Sequence, residues 1–202
     1  ANAKFQRDPD LAKAQWDEAE RRLACLNDLL GKSKERLSLL GAIYKRRAGK
    51  DPVNRAEFQR KALQYYIEAY EYSRDVLQAP DPYPGLNAIA LAWLAGQTLP
   101  FESECLAEAE SRNGGEDFWD RVYRADALML RLVMSGRGKE QEVVAAYKLA
   151  LQHAAPHEAG SAIGQMEYLK QQKGGESAAV LDRILAAMGE GNRELAATLS
   201  TT

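Results

Sequence analysis

The chain has 202 residues, 46% of them hydrophobic and 28% charged, and its 27 Lys+Arg against 29 Asp+Glu leave a formal net charge of −2. That balance is too apolar for a disordered chain, and a pI near 5.8 argues against a dedicated polyanion binder. Cys25 and Cys105 stand about eighty residues apart, so neither a disulfide framework nor a cysteine metal knot is suggested, and reduced thiols are expected.

Alanine, leucine, glutamate and arginine dominate, residues that lose little freedom in a helix, and apolar positions recur at three and four spacing between Gly, Pro and Asn. About nine helices are expected and no strands. The first covers residues 10–30, with Leu11, Trp16, Ala19, Leu23, Leu26 and Leu30 as an apolar stripe ended by Gly31. Ser33 caps the second, which carries Leu37, Leu40 and Tyr44 and ends near Gly49. Asn54 followed by Glu57 has the form of a capping box, opening a third helix with Phe58, Ala62, Tyr65, Tyr66, Ala69 and Tyr70; Pro80, Pro82 and Pro84 forbid its continuation. Residues 83–96 are nearly all apolar, Asn87 excepted, so this helix should be buried on most sides. A helix after Pro100 carries Phe101, Cys105, Leu106 and Ala109 and closes at Asn113-Gly114-Gly115. Helices over residues 116–135 and 140–154 follow, separated by Gly136 and Gly138. Pro156 suits the first turn of a helix ending near Lys173, and Ser177 caps a last one through Met188.

Leu37, Leu40, Gly41 and Tyr44, followed by Ala62, Tyr66 and Ala69, have the form of a tetratricopeptide-type helical hairpin, in which small residues let the two helices approach closely. The step from Gly41 to Ala62 is about nine residues longer than a standard repeat of ~34 residues allows, so the loop or the helices absorb an insertion. Three blocks go further: Leu37-Ser38-Leu39-Leu40-Gly41-Ala42-Ile43-Tyr44-Lys45, Tyr83-Pro84-Gly85-Leu86-Asn87-Ala88 and Phe118-Trp119-Asp120. Together they resemble, over residues 33–169, the TRAFs-binding domain, the tetratricopeptide-like central regulatory region of apoptosis signal-regulating kinases that also occurs in many bacterial proteins. The resemblance implies an all-helical repeat domain that regulates or recruits other domains. No kinase motif accompanies it.

Charge is unevenly spread. Residues 21–61 hold 12 Lys+Arg against 4 Asp+Glu, and residues 62–120 hold 2 against 11. Solvated helix faces explain this; the sharper alternative is a dipolar surface that orients a partner or a second copy.

Sequence signals for chemistry are weak. Gly31-Lys32-Ser33 lacks the glycine that a phosphate loop needs at position 26, which is Leu26. His153 and His157 are four apart, but Pro156 starts a new helix between them, and Glu158 is the only adjacent further ligand. Glu102, Glu104, Glu108 and Glu110 lie opposite Cys105, Leu106 and Ala109 and read as a solvated face. Tyr65, Tyr66, Tyr70 and Tyr72 beside Lys45, Arg46, Arg47 and Lys50 suggest stacking platforms for nucleic acid, but tyrosines at helix spacing are more often packing residues.

The expected fold is an all-α right-handed superhelix of tetratricopeptide-like hairpins, one domain over residues 1–195 with a loose tail at 196–202. The expected role is non-catalytic: a scaffold that holds a peptide or protein partner in a concave groove lined by Ser38, Ala42, Lys45, Arg46, Asn87 and Arg121. Asn87 has a second reading, as a buried amide that binds a neighbouring carbonyl and fixes register. The alternative role is self-assembly, the basic 21–61 surface of one copy meeting the acidic 62–120 surface of another. No catalytic residue, metal, cofactor, nucleic acid or membrane is expected. No run approaches the ~20 apolar residues of a spanning helix and no signal peptide is recognisable, which suggests a cytoplasmic protein, and the Ala-Asn-Ala start suggests a segment of something longer.

Overall fold

A computed structural model describes the backbone of residues 9–112, 117–152 and 154–199, and the side chains of residues 11–112, 117–152 and 154–189. Among the described residues the regular structure is nine α-helices and one π-helical turn, with no strand, so the fold is all-α as expected. None of these helices is long and apolar enough to cross a membrane. The chain divides into two compact units, Ala1–Leu91 and Ala92–Thr202.

The first unit holds α1 (Pro9–Leu30), α2 (Lys34–Lys50), α3 (Arg55–Glu71) and most of α4 (Pro82–Leu94). The Ser33 hydroxyl accepts from the Arg36 amide at 3.3 Å, the N-cap expected of it. Asn54 departs from expectation: its side chain makes no cap bond, because its amide groups turn back to Asp51, the backbone N–H at 3.1 Å and Nδ2 at 2.8 Å, while Glu57 pairs with Lys61 at 2.9 Å. The aspartate closes the turn that the capping box would have closed. With α2 and α3 each 17 residues long and only residues 51–54 between them, the helices absorb the extra length.

Close approach of these two helices depends on Gly41. A Cβ built there would lie 3.0 Å from Cδ1, Cδ2 and Cε2 of the Tyr66 ring, tighter than nearly all real contacts. Around that point Leu37, Leu40, Tyr44, Ala62, Tyr66, Ala69 and Tyr70 are at most 3% exposed, which is the core the repeat pattern predicts. Tyr66 also meets Tyr83 of α4 edge to face, with centroids 6.1 Å apart.

α3 runs straight into the π-helical turn Tyr72–Val76, closed by the Leu77 N–H on the Tyr72 carbonyl at 3.1 Å. Ser73 is fully buried and pins the turn: its hydroxyl donates to the Tyr70 carbonyl at 2.7 Å and accepts from the Asp81 N–H at 3.1 Å. Gln78 then takes φ +52° before the prolines. α4 is buried continuously from Leu86 to Ala92, as its apolar sequence predicts.

α1 departs most from its pattern. Of the expected stripe, Trp16, Ala19 and Leu23 are half-buried, but Leu11, Leu26 and Leu30 are 52%, 41% and 69% exposed, together with Leu29 at 74%. Ala12 is buried, and polar groups of α1 reach α2 beside it.

The second unit holds the end of α4, then α5 (Glu102–Ser111), α6 (Phe118–Ser135), α7 (Glu140–Leu151), α8 (Pro156–Lys173) and α9 (Gly175–Leu199). Asp117 caps α6 by accepting from the Trp119 amide at 3.2 Å, and Gly136 ends it at φ +66° with its N–H on the Leu132 carbonyl at 2.9 Å. Met129, Leu130, Val143 and Tyr147 form the dense core of the α6–α7 hairpin, and the Tyr147 hydroxyl donates to Asp126. Pro156 stands at the start of α8, as expected. Ser177 does not cap α9: that helix begins at Gly175, and the hydroxyl donates to the Val133 carbonyl at 3.4 Å. α9 runs past Met188 and takes in residues 196–199, where the sequence suggests a loose tail; Glu194-Leu195-Ala196-Ala197 is a run of good helix formers. Asn113-Gly114-Gly115, Glu116, His153 and residues 200–202 lie outside the described residues.

Replacing Gly41 by Leu drives a side chain into the Tyr66 ring. We expect a loss of about 1–3 kcal/mol, read as a lower melting temperature. A melt unchanged from wild type would refute the close-approach role of Gly41.

Candidate functional site: the exposed face of α2

α2 positions four of the six residues expected to meet a partner. Ser38, Ala42 and Lys45 stand at i, i+4 and i+7 and so share one helix face, with Arg46 one turn beyond Ala42. Their environments differ. Ser38 and Ala42 are each only 8% exposed, and little of either is available to a ligand. Lys45 is half-buried and Arg46 is exposed. The structure brings Lys45 to Asn87, with Nζ 2.7 Å from Oδ1, while Nδ2 of Asn87 donates 2.9 Å to the Tyr83 carbonyl one turn back in α4. Both ends of the Asn87 amide are therefore engaged, which matches the register-fixing reading and makes the pair a tie between α2 and α4. Arg121 lies half-buried on α6, in the second unit.

One contributor to this face was missed. Leu39 is 52% exposed and stands three residues before Ala42 and seven before Arg46, so Leu39, Ala42 and Arg46 make one ridge with an apolar and a cationic end. Its signal was present: Leu39 falls outside the Leu37, Leu40 and Tyr44 spacing that defines the core side of α2.

Arg47 was misplaced. Sequence groups it with Lys45, Arg46 and Lys50 as one basic cluster, but it is 8% exposed and points to the opposite side. Its guanidinium pairs with Asp17 and Glu20 of α1, at 2.7 Å each, and lies 5.3 Å from the Tyr44 ring centre and 5.9 Å from that of Phe58. Glu20 also accepts from the Tyr44 hydroxyl, and Tyr44 stacks on Tyr65 at 5.6 Å. Of the aromatics and cations that suggest nucleic-acid platforms, Arg47 and Tyr65 pack and tether α1, α2 and α3 and Tyr66 and Tyr70 are in the core, while Arg46 and Lys50 are exposed.

Several of the remaining chemical candidates have local partners, while Glu102 keeps a buried carboxylate oxygen with none among the described residues. Glu158 accepts 2.8 Å from the Ala155 N–H and so serves the start of α8, while His157 is exposed beside it. Of the α5 glutamates expected on a solvated face, Glu108 pairs with Arg112 at 3.2 Å and Glu110 pairs with Arg131; both are partly buried. No group of three or more His, Cys, Asp or Glu side chains among the described residues could hold a metal. An open groove of about 490 Å³ between α7 and α9 is lined by Val144, Ala145, Ala187, Lys148 and the Glu140–Arg183 pair.

A helix hairpin with a glycine–tyrosine close approach, followed by a buried apolar helix, defines a tetratricopeptide-like repeat. Residues 1–92 match the model of the family described as Tetratricopeptide Repeats-Sensor, which supports a tetratricopeptide-like domain in that part of the chain. No curated protein and no solved structure matches the chain.

Two outcomes follow from the Arg47 cluster. Arg47→Met keeps the apolar stem but removes two charge-assisted hydrogen bonds, and we expect a loss of about 2 kcal/mol with faster amide exchange concentrated in α1. Burial, and next the bond to Glu20, push the Tyr44 phenol well above its ordinary value; burial, with Asp126 beside it, does the same for Tyr147. A group whose proton is held more tightly in the folded state stabilises fully below its unfolded pKa and loses that contribution above it. Stability should therefore fall as pH rises beyond about 10, and Tyr44→Phe with Tyr147→Phe should flatten that alkaline slope in urea titrations.

Proposed function

We propose that this chain is a non-catalytic interaction or regulatory module that holds a peptide or protein partner against the exposed ridge of α2, where Leu39 supplies apolar contact and Arg46 the polarity. Repeats of the tetratricopeptide type generally mediate protein–protein interactions, and the family match covers this hairpin. The observation that carries the reading is the Lys45–Asn87 tie, because it fixes α4 beside α2 and so gives the ridge a rigid flank. Ser38 and Ala42 act in this reading as the small floor that keeps the flank close. The resemblance of three sequence blocks to the TRAFs-binding domain of apoptosis signal-regulating kinases supports a regulatory role inside a larger protein.

The decisive measurement is affinity capture from the native host with wild type beside Lys45→Glu/Arg46→Glu, at low and high salt. A partner retained at high salt and lost in the double variant is the expected result, with the fold kept and the melting curve lowered only by the broken Lys45–Asn87 bond, about 1 kcal/mol. Unchanged capture removes both residues from the site. Association that disappears at high salt in the wild type favours instead the meeting of the basic 21–61 and acidic 62–120 surfaces of two copies.

A further inference from the structure

Arg46 is set apart from the other cations of its helix. Lys34 pairs with Asp81, Arg36 donates to Asn27, Lys45 to Asn87, and Arg47 pairs with Asp17 and Glu20; Lys50 has an interaction of its own. Arg46 is exposed and has no hydrogen bond or ion pair among the described residues. Leu39, two turns earlier on the same ridge, is 52% exposed, and Ala42 between them is small and nearly covered. The ridge therefore presents an apolar side chain and an uncommitted guanidinium ~10.5 Å apart along the helix axis, with a notch between them.

An extended peptide would find little here for its backbone. There is no strand edge among the described residues, Leu39 and Ala42 carry no side-chain donor or acceptor, and both ends of the Asn87 amide are engaged. Covered N–H and C=O groups of an extended chain would go unpaired, whereas a helix satisfies its own. A small residue between two larger ones also lets the side-chain ridge of a second helix settle in.

We infer that the partner on the α2 ridge is an amphipathic helix running antiparallel to α2, with an acidic residue of its first turns on Arg46 and a large apolar residue seven positions later on Leu39; this rests on the ridge being the docking face. Charge sets the direction. Arg46 lies near the C-terminal end of α2, and Glu35, with a side chain 69% exposed, lies in its first turn, so a carboxylate is favoured at the first place and repelled at the second. Acidic residues also stabilise a helix most in its first turn, and antiparallel macrodipoles attract. The sequence signature is Asp or Glu, a small residue about four positions later facing Ala42, and Leu, Ile, Met or Phe at the seventh position.

A phage library of random 16-residue peptides, selected on the full chain and counter-selected on Leu39→Ser, reads that signature. Leu39 and Arg46 are exposed, so equal melting temperatures of the variants serve as the control for folding. Peptides that bind wild type and not Leu39→Ser should carry the acid seven residues before the apolar residue. Selection on Arg46→Glu should replace the acid by Lys or Arg. Synthetic copies, titrated by fluorescence anisotropy, should bind Arg46→Gln about threefold more weakly, and a proline midway between acid and apolar residue should weaken binding about tenfold or more. A three-residue spacing, the reverse order, a charge preference that Arg46→Glu leaves unchanged, or binding that survives the proline each overturns the helical partner and leaves the ridge as the docking face. A selection in which no bound peptide depends on Leu39 overturns both.

Discussion

The first unit depends on one missing atom. With no Cβ at Gly41, the Tyr66 ring can lie against the α2 backbone, and the two helices come close enough to bury Leu37, Leu40, Ala62 and Ala69. Interiors are close-packed and tolerate added volume poorly, so this contact is a constraint as much as an attraction. It sets the spacing of α2 and α3, and that spacing decides which α2 residues remain outside the core. Leu39 and Arg46 are exposed because the opposite side of α2 is committed to Tyr66.

A second arrangement holds α1 by different physics. The Arg47 guanidinium, withdrawn from water among Tyr44 and Phe58, is neutralised by two carboxylates from α1. Removing one partner from such a group costs more than the pair contributes, since a charge is then left poorly solvated. The α1–α2 contact is thus specific in geometry without burying many leucines: Ala12 is buried and Trp16, Ala19 and Leu23 are half-buried, while Leu26, Leu29 and Leu30 stay exposed.

Most of the fold was legible because its signals are local. Ser33, Gly136, Pro156 and the three prolines after α3 act within a turn of their own position, and the repeat pattern at Gly41 and Tyr66 reports a contact that every hairpin of this kind must make. What was not legible depends on the rest of the chain. Arg47 carries the same charge as Arg46, and only the packing of α1 decides that one is buried and the other free. The cap expected of Asn54 failed because Asp51 competes for the same amide groups, a choice between two good local solutions. For the site, Lys45 and Asn87 meet in a hydrogen bond, but sequence did not foresee that Ser38 and Ala42 would be nearly covered or that Leu39 would be exposed beside them.

The π-helical turn at Tyr72–Val76 accommodates one residue more than an α-helical turn of the same height, and Ser73 fastens it from inside. One residue is about 100° of helix rotation. The chain that leaves α3 is therefore aimed to a different side than an uninterrupted helix would choose, and Gln78 and the prolines carry that heading into α4. Where Asn87 stands relative to Lys45 is in this sense decided some ten residues earlier, by a single-residue step in the winding of the backbone. A chain one residue shorter in that turn would retain every side chain of the ridge and still present a different flank to whatever docks on it.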